Sequence, residues 1–128
     1  MIGFDINKGL PFVKITLTNK ERTLELDNVL LDTGSASTLI PAEVAVQLGL
    51  DTLPDDKILR IHGIGGTEYV YEKNIEKIGL SSLILHKMAI HIGSLDYGFG
   101  INDILGMDFM TLMGINIDIK HRLITKAK

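Results

Sequence analysis

Asp32 stands at the end of an apolar run, Val29-Leu30-Leu31, and is followed by Thr33, Gly34 and Ser35. A carboxylate at a strand end, beside a glycine that permits a tight turn, can serve as a general acid or base. It can equally fold back on its own backbone as an Asx-turn, with no chemistry at all. Three more hydroxyls or potential partners, Ser35, Ser37 and Thr38, lie just beyond it. Most carboxylate chemistry needs a second acid. Yet no other aspartate in the chain is followed by Thr-Gly or Ser-Gly.

Rival chemistries are poorly supplied. There is no cysteine, which excludes disulfides, thiol nucleophiles and cysteine metal sites. His86 and His91, and His62 further upstream, make no tight ligand spacing with acids, so no metal or organic cofactor is expected. The glycine-rich stretches Gly63-Ile64-Gly65-Gly66 and Gly98-Phe99-Gly100 are not followed by Gly-Lys-Ser/Thr, so they do not read as phosphate loops. Ser35, a histidine and Asp32 have the right types for a hydrolytic triad, but no nucleophile elbow surrounds the serine.

The elements that must position Asp32 are mostly strands. Val13, Ile15 and Leu17 alternate with polar residues, as do Met88, Ile90 and Ile92, and Ile115, Ile117 and Ile119. A period of two marks half-buried strands. Asn19 to Arg22 fits a hairpin turn. Two segments read as short helices. Pro41 to Gly49 has proline at the first helical position and glycine past the end. Met107 to Gly114 would put Phe109, Leu112 and Met113 on one face, with Gly114 as its stop. Ile58 to Glu72 is a strand, a glycine-rich tip and a second strand. The pattern of two apolar residues, a turn and a helix occurs twice, at Leu30–Gly34 and at Ile104–Gly106. The sum is an all-β single domain over residues 1–128, a closed or folded-over barrel with a β-hairpin and one or two short helices.

The chain has 128 residues, 45% of them hydrophobic and 23% charged, which suits one domain with a real core. A net charge of -3 without clustered Lys and Arg argues against a nucleic-acid partner. No apolar run is long enough to span a bilayer, and the first residues lack the pattern of a secretory leader, so the expected location is the cytoplasm, with no membrane partner. The acidic stretch Leu50 to Lys57 reads as a solvated loop.

The order apolar–apolar–Asp32-Thr33-Gly34-Ser35, then a glycine-tipped hairpin, then Ile104-Leu105-Gly106 before a short helix, resembles the retropepsin-like aspartic proteases. The resemblance runs from about Lys14 to Ile124 and implies a closed acid-protease barrel whose hairpin, Arg60 to Tyr71, is a flap. Pepsin-like relatives carry two Asp-Thr-Gly motifs in one chain; here a single motif implies a homodimer with Asp32 contributed twice. Two carboxylates about 3 Å apart cannot both ionise, so they share one proton. One then activates water while the other donates to the scissile carbonyl. The resemblance implies catalytic roles for Asp32, Thr33 and Gly34, with Thr33 reaching to the partner's backbone. It implies substrate contacts from Ser35, Ala36, Gly63, Ile64, Gly65 and Ile104. Ser35 stands where pepsin-like enzymes have a hydroxyl that donates to the catalytic carboxylate. Ile101, Ile104, Ile64 and Leu39 are candidate pocket walls, or plain core. The expected activity is therefore cleavage of extended peptides; the competing expectation is a non-catalytic dimerisation or peptide-binding module of the same fold.

Two departures from the viral pattern stand out. Met107 and Asp108 replace the usual Arg and its neighbour after Ile-Gly, and Ser35-Ala36-Ser37 replaces Ala-Asp. The segment Ile115 to Ile124 could interleave with a partner, as family termini do, or pair within one subunit.

Overall fold

The structure, a computed structural model, describes residues 1–63, 66–93, 101 and 103–128. Thirteen elements follow in chain order: β1 (Ile2–Gly3), β2 (Asp5–Asn7), β3 (Leu10–Asn19), β4 (Arg22–Leu31), β5 (Leu39–Ile40), α1 (Ala42–Gln47), β6 (Ile58–Gly63), β7 (Gly66–Leu80), β8 (Leu83–Ile92), β9 (Ile104–Leu105), α2 (Met107–Met113), β10 (Ile115–Asp118) and β11 (Leu123–Lys126). The all-β expectation with two brief helices holds.

Eight strands form one sheet in the order β2-β3-β4-β9-β5-β8-β7-β6, and β3 also pairs with β7. The pairings thus return to their starting strand through β3, β4, β9, β5, β8 and β7. Inside this ring lie the alternating residues: Val13, Ile15, Leu17, Met88, Ile90 and Ile92 are all buried, in one cluster with Val29, Leu31, Leu105 and Phe109. A second, smaller cluster holds Leu30, Leu39, Val70, Ile101 and Ile104, with Leu59 and Ile61 of β6 packed on it. Adjacent residues of β4 and of β9 therefore face opposite clusters, as the pleat requires.

The β3–β4 hairpin closes through Lys20 and Glu21, both in the left-handed region at φ 49° and 64°. That is the turn geometry which matches strand twist. Further along, the β3–β4 register shifts between Val13 and Ile15, and Asn28 takes φ 55°. This bulge re-aims the end of β4 toward β9.

Two helix expectations need correction. Pro41 is the N-cap of α1 rather than its first helical residue, with extended backbone at ψ 162°. In α2 the buried residues are Phe109, Met110 and Met113, while Leu112 is 66% exposed. Positions i, i+1 and i+4 share the inner stripe, and i+3 falls on its outer margin. Ile119 also departs from expectation, because β10 ends at Asp118 and Ile119 lies exposed in the following turn.

Candidate active site

Leu30 and Leu31 pair in parallel with Ile104 and Leu105. The two segments with repeated sequence pattern are thus neighbours, and each strand end releases its turn at the same level. The Asp32 amide donates to the Leu105 carbonyl at 3.0 Å, and the Leu30 amide to the Asp103 carbonyl at 3.0 Å. These bonds fix where the backbone of Asp32 emerges.

Beyond it the chain turns at once. The Gly34 amide donates to Asp32 Oδ1 at 2.9 Å and the Ser35 amide to the Asp32 carbonyl at 3.2 Å. The Asx-turn considered from sequence is present, and it also orients the carboxylate. Asp32 is half-buried, and Thr33, Gly34 and Ala36 are exposed. Among the described residues Asp32 Oδ2 has no hydrogen-bond partner. The acid is held by one oxygen and presents the other.

Behind the loop, β9 and α2 grip it. The Met107 amide donates to the Ser35 carbonyl at 2.8 Å. The Gly106 amide donates to Thr38 Oγ1 at 3.1 Å, and Thr38 donates to Asp108 through its amide at 2.9 Å and its hydroxyl at 2.8 Å. A Cβ at Gly106 would overlap the Ser37 carbonyl and come within 3.0 Å of the Ser35 carbonyl oxygen. Only glycine lets these two backbones approach so closely.

A family model described as "gag-polyprotein putative aspartyl protease" matches residues 25–111, a span that contains both strand-end turns. The chain belongs to this family. The fold agrees: the crystal structure of a retropepsin-like aspartic protease from Rickettsia conorii superposes with a TM-score of 0.69, at 21% identity, over 96% of this chain and 87% of that one. No curated protein sequence matches the chain.

Within this aspartyl protease fold the expected site residues fall into three groups. Asp32, Thr33, Gly34, Ser35 and Ala36 form one continuous loop. Ile104 is fully buried beside Leu30 and Leu39, and Ile101 closes the same cluster. Gly63 pairs with Gly66 at the end of the β6–β7 hairpin, whereas Ile64 and Gly65 lie outside the described residues. One expected contact is different: the Ser35 hydroxyl donates to the Ser37 carbonyl at 2.8 Å, not to Asp32. A hydroxyl has a single proton to donate, and here the Ser37 carbonyl takes it.

Three polar groups near the site were given no role there by the sequence pattern. Asp108 accepts two hydrogen bonds from Thr38. Its spacing from Thr38, 70 positions, leaves no local signal. Asp103 is 7% exposed, and its Oδ1 has no hydrogen-bond partner among the described residues. Burial pushes its carboxyl up to about 6. His91 pairs with Leu39 across the sheet, and its Nε2 lies 3.2 Å from Glu72 Oε1, leaving Nδ1 buried and without a partner among the described residues. No described group of three or more His, Asp and Glu side chains could hold a metal ion. No helix among the described residues is long and apolar enough to cross a membrane.

Proposed function

We propose that the protein is an aspartic endopeptidase that cleaves extended peptides as a homodimer, with Asp32 of each subunit forming one acid–base pair. The observation that carries this reading is the placement of Asp32. It is the sole Asp-Thr-Gly aspartate of the chain, its backbone is locked to Leu105, and its carboxylate has one oxygen without a partner among the described residues, at an exposed loop. One such group is half of the machinery. A twofold axis beside the exposed Thr33 and Gly34 would supply the other half.

In the paired site the two carboxylates share one proton, and their titration belongs to the pair. The ionised member takes a proton from a bound water. The protonated member donates to the scissile carbonyl oxygen, giving a tetrahedral diol. Its collapse breaks the C–N bond: the amine takes the proton held by the pair, and one diol hydroxyl returns its proton to the other carboxylate as the new carbonyl forms. Thr33 reaches the partner's backbone and ties the loops together. Gly34, Ser35 and Ala36 line the substrate backbone.

The β6–β7 hairpin acts as the flap. Gly63, Ile64 and Gly65 close over the peptide, exclude water and hydrogen-bond its backbone. The peptide lies as an added strand with side chains in alternating pockets. Ile104, Leu39 and Ile101 are buried together behind the loop and back the site from the core.

The test is cleavage of a panel of apolar-centred peptides by wild type and by Asp32→Asn. Loss of all cleavage in the variant, with unchanged circular dichroism, is the expected result. Cleavage that survives the substitution removes the mechanism. Wild type that binds peptides but never cuts them would make the protein a binding module instead.

A further inference from the structure

Residues 119–128 hold four cations, Lys120, Arg122, Lys126 and Lys128, and no acid, whereas the residues before them hold nine cations and sixteen acids, a net charge of -7. The overall charge of -3 conceals this division. All four cations are exposed, and among the described residues none of them forms an ion pair. Elsewhere cations are engaged. Lys14 meets Glu25 and Asp27, Lys57 meets Glu72, and Lys73 meets Asp56. Lys20 and Arg22 donate to the Gly49 and Gln47 carbonyls. The nearest acid in sequence, Asp118, is turned onto the hairpin's own turn, where it accepts from the His121 amide at 3.0 Å and lies 2.8 Å from His121 Nδ1.

These charges stand on a fixed frame. β11 is paired on both sides, with Ile2 and Gly3 of β1 and with Ile115 to Asp118 of β10. Ile124, inside it, is fully buried. The Phe4 amide donates to the Arg122 carbonyl at 3.1 Å and the Ala127 amide to the Gly114 carbonyl at 2.6 Å, so both ends of the strand are held. Lys120 and Arg122 stand just before β11, and Lys126 and Lys128 at its far end. Arg122 and Lys126 are four residues apart, about 13 Å of extended chain. Unpaired cations displayed in this way raise the local potential and attract acids over about one Debye length.

We infer that the β10–β11 hairpin docks an acidic, extended polypeptide segment, carried by a protein substrate at a distance from the bond that is cut; the role as a substrate contact rests on the protease reading above. Two features select a polypeptide over other polyanions. A bilayer is wide and a nucleic acid is long, so either would also face the acidic remainder of the chain, which repels it. A short segment meets the hairpin alone. Residues 119–128 also contain no aromatic side chain, and Ile119 is their one exposed large hydrophobic. Neither base stacking nor insertion into a bilayer is therefore supplied. Carboxylates four residues apart in an extended segment match the spacing of Arg122 and Lys126. Docking of this kind acts through charge and encounter, so it lowers KM, fades with salt and leaves kcat unchanged.

The experiment titrates Asp32→Asn chain, which binds without cutting, into a fluorescein-labelled peptide of alternating glutamate and glycine, read by anisotropy. The glutamine–glycine peptide is the neutral control. One variant combines Lys120→Gln, Arg122→Gln, Lys126→Gln and Lys128→Gln; a second combines Lys77→Gln and Lys87→Gln, exposed cations of β7 and β8. The glutamate peptide should bind, about tenfold more weakly to the first variant and unchanged to the second, and binding should fall about tenfold between low and high salt. In the active enzyme, a glutamate tail joined to an apolar-centred peptide by Gly-Ser linkers of about 4 to 16 residues should lower KM at one or more lengths. That advantage should vanish in the first variant, with the untailed peptide cut as before. Equal binding by the first variant, or an equal loss in the second, would overturn the docking surface. So would binding to phosphatidylserine vesicles without binding to the glutamate peptide, which would make the partner a bilayer. A KM indifferent to the tail at every length would remove the substrate role. If wild type cleaves nothing while hairpin-dependent binding persists, the protease reading fails and the docking surface stands.

Discussion

Asp108 accepts two hydrogen bonds from one residue, Thr38, through the threonine amide and its hydroxyl. The same hydroxyl accepts from the Gly106 amide, so Thr38 is fully enclosed between the Asp32 loop and the start of α2. Thr38 is completely buried. The loop that presents Asp32 is therefore held by an acid–hydroxyl–amide link rather than by an ion pair.

Removing the acceptor should be costly. Hydrogen bonds to a charged group contribute roughly 1.5–3 kcal/mol, and a buried amide left unpaired adds its own penalty. Asp108→Ala should destabilise the fold by about 2–4 kcal/mol, and Asp108→Asn, which keeps one acceptor, by about half as much. Urea unfolding of both variants checks this. A change below about 0.5 kcal/mol for Asp108→Ala would show that the link is dispensable.

The Ser35 hydroxyl bonds the Ser37 carbonyl, within its own loop. Ser35→Ala should then lower stability by about 1 kcal/mol, the net value of one such bond. The acid limb of the cleavage pH profile should not move. An acid limb displaced toward higher pH would mean that the hydroxyl turns to Asp32 in the working enzyme, since a donor to the charged form lowers a carboxyl's pKa.

Much of this architecture can be read in the residues themselves. Alternation at Val13–Leu17 and Met88–Ile92 marks β3 and β8 because one face of each is buried and the other wet. Gly49 and Gly114 mark helix ends because both adopt left-handed backbone, at φ 71° and 61°. The repeat of two apolar residues and a turn foretells that Leu30–Leu31 and Ile104–Leu105 are equivalent, though not that they lie side by side. What pattern does not reveal is long-range. The Thr38–Asp108 link, the β1–β11 pairing and the buried Asp103 depend on residues distant in sequence, where no local period operates. Leu112 misleads for a related reason: a short helix can turn either margin of its apolar stripe outward, and the neighbouring strands decide which.

Asp103 supplies a pH signature. Burial raises its carboxyl from 3.8 to about 6, so the fold favours the protonated form. Its stabilising contribution is complete below the ordinary carboxyl range and is lost as pH rises through about 6. At about 1.4 kcal/mol per pH unit of displacement, the loss is at most roughly 3 kcal/mol. Asp103→Asn should therefore be more stable than wild type above pH 6 by about 1–3 kcal/mol, with the gain fading below pH 4. Urea midpoints for both proteins across that range test it. Parallel curves would show that the carboxyl finds a partner or a water.

The central claim is that one chain is half an enzyme. The most direct measurement keeps wild type at a fixed concentration and adds Asp32→Asn chain in increasing excess, with exchange allowed to equilibrate. Mixed dimers would hold a single carboxylate and be inactive. With random pairing, a ninefold excess should reduce cleavage about tenfold by mass action. Cleavage that stays constant at every excess, while the two chains demonstrably associate, would mean that a single Asp32 suffices and would contradict the account.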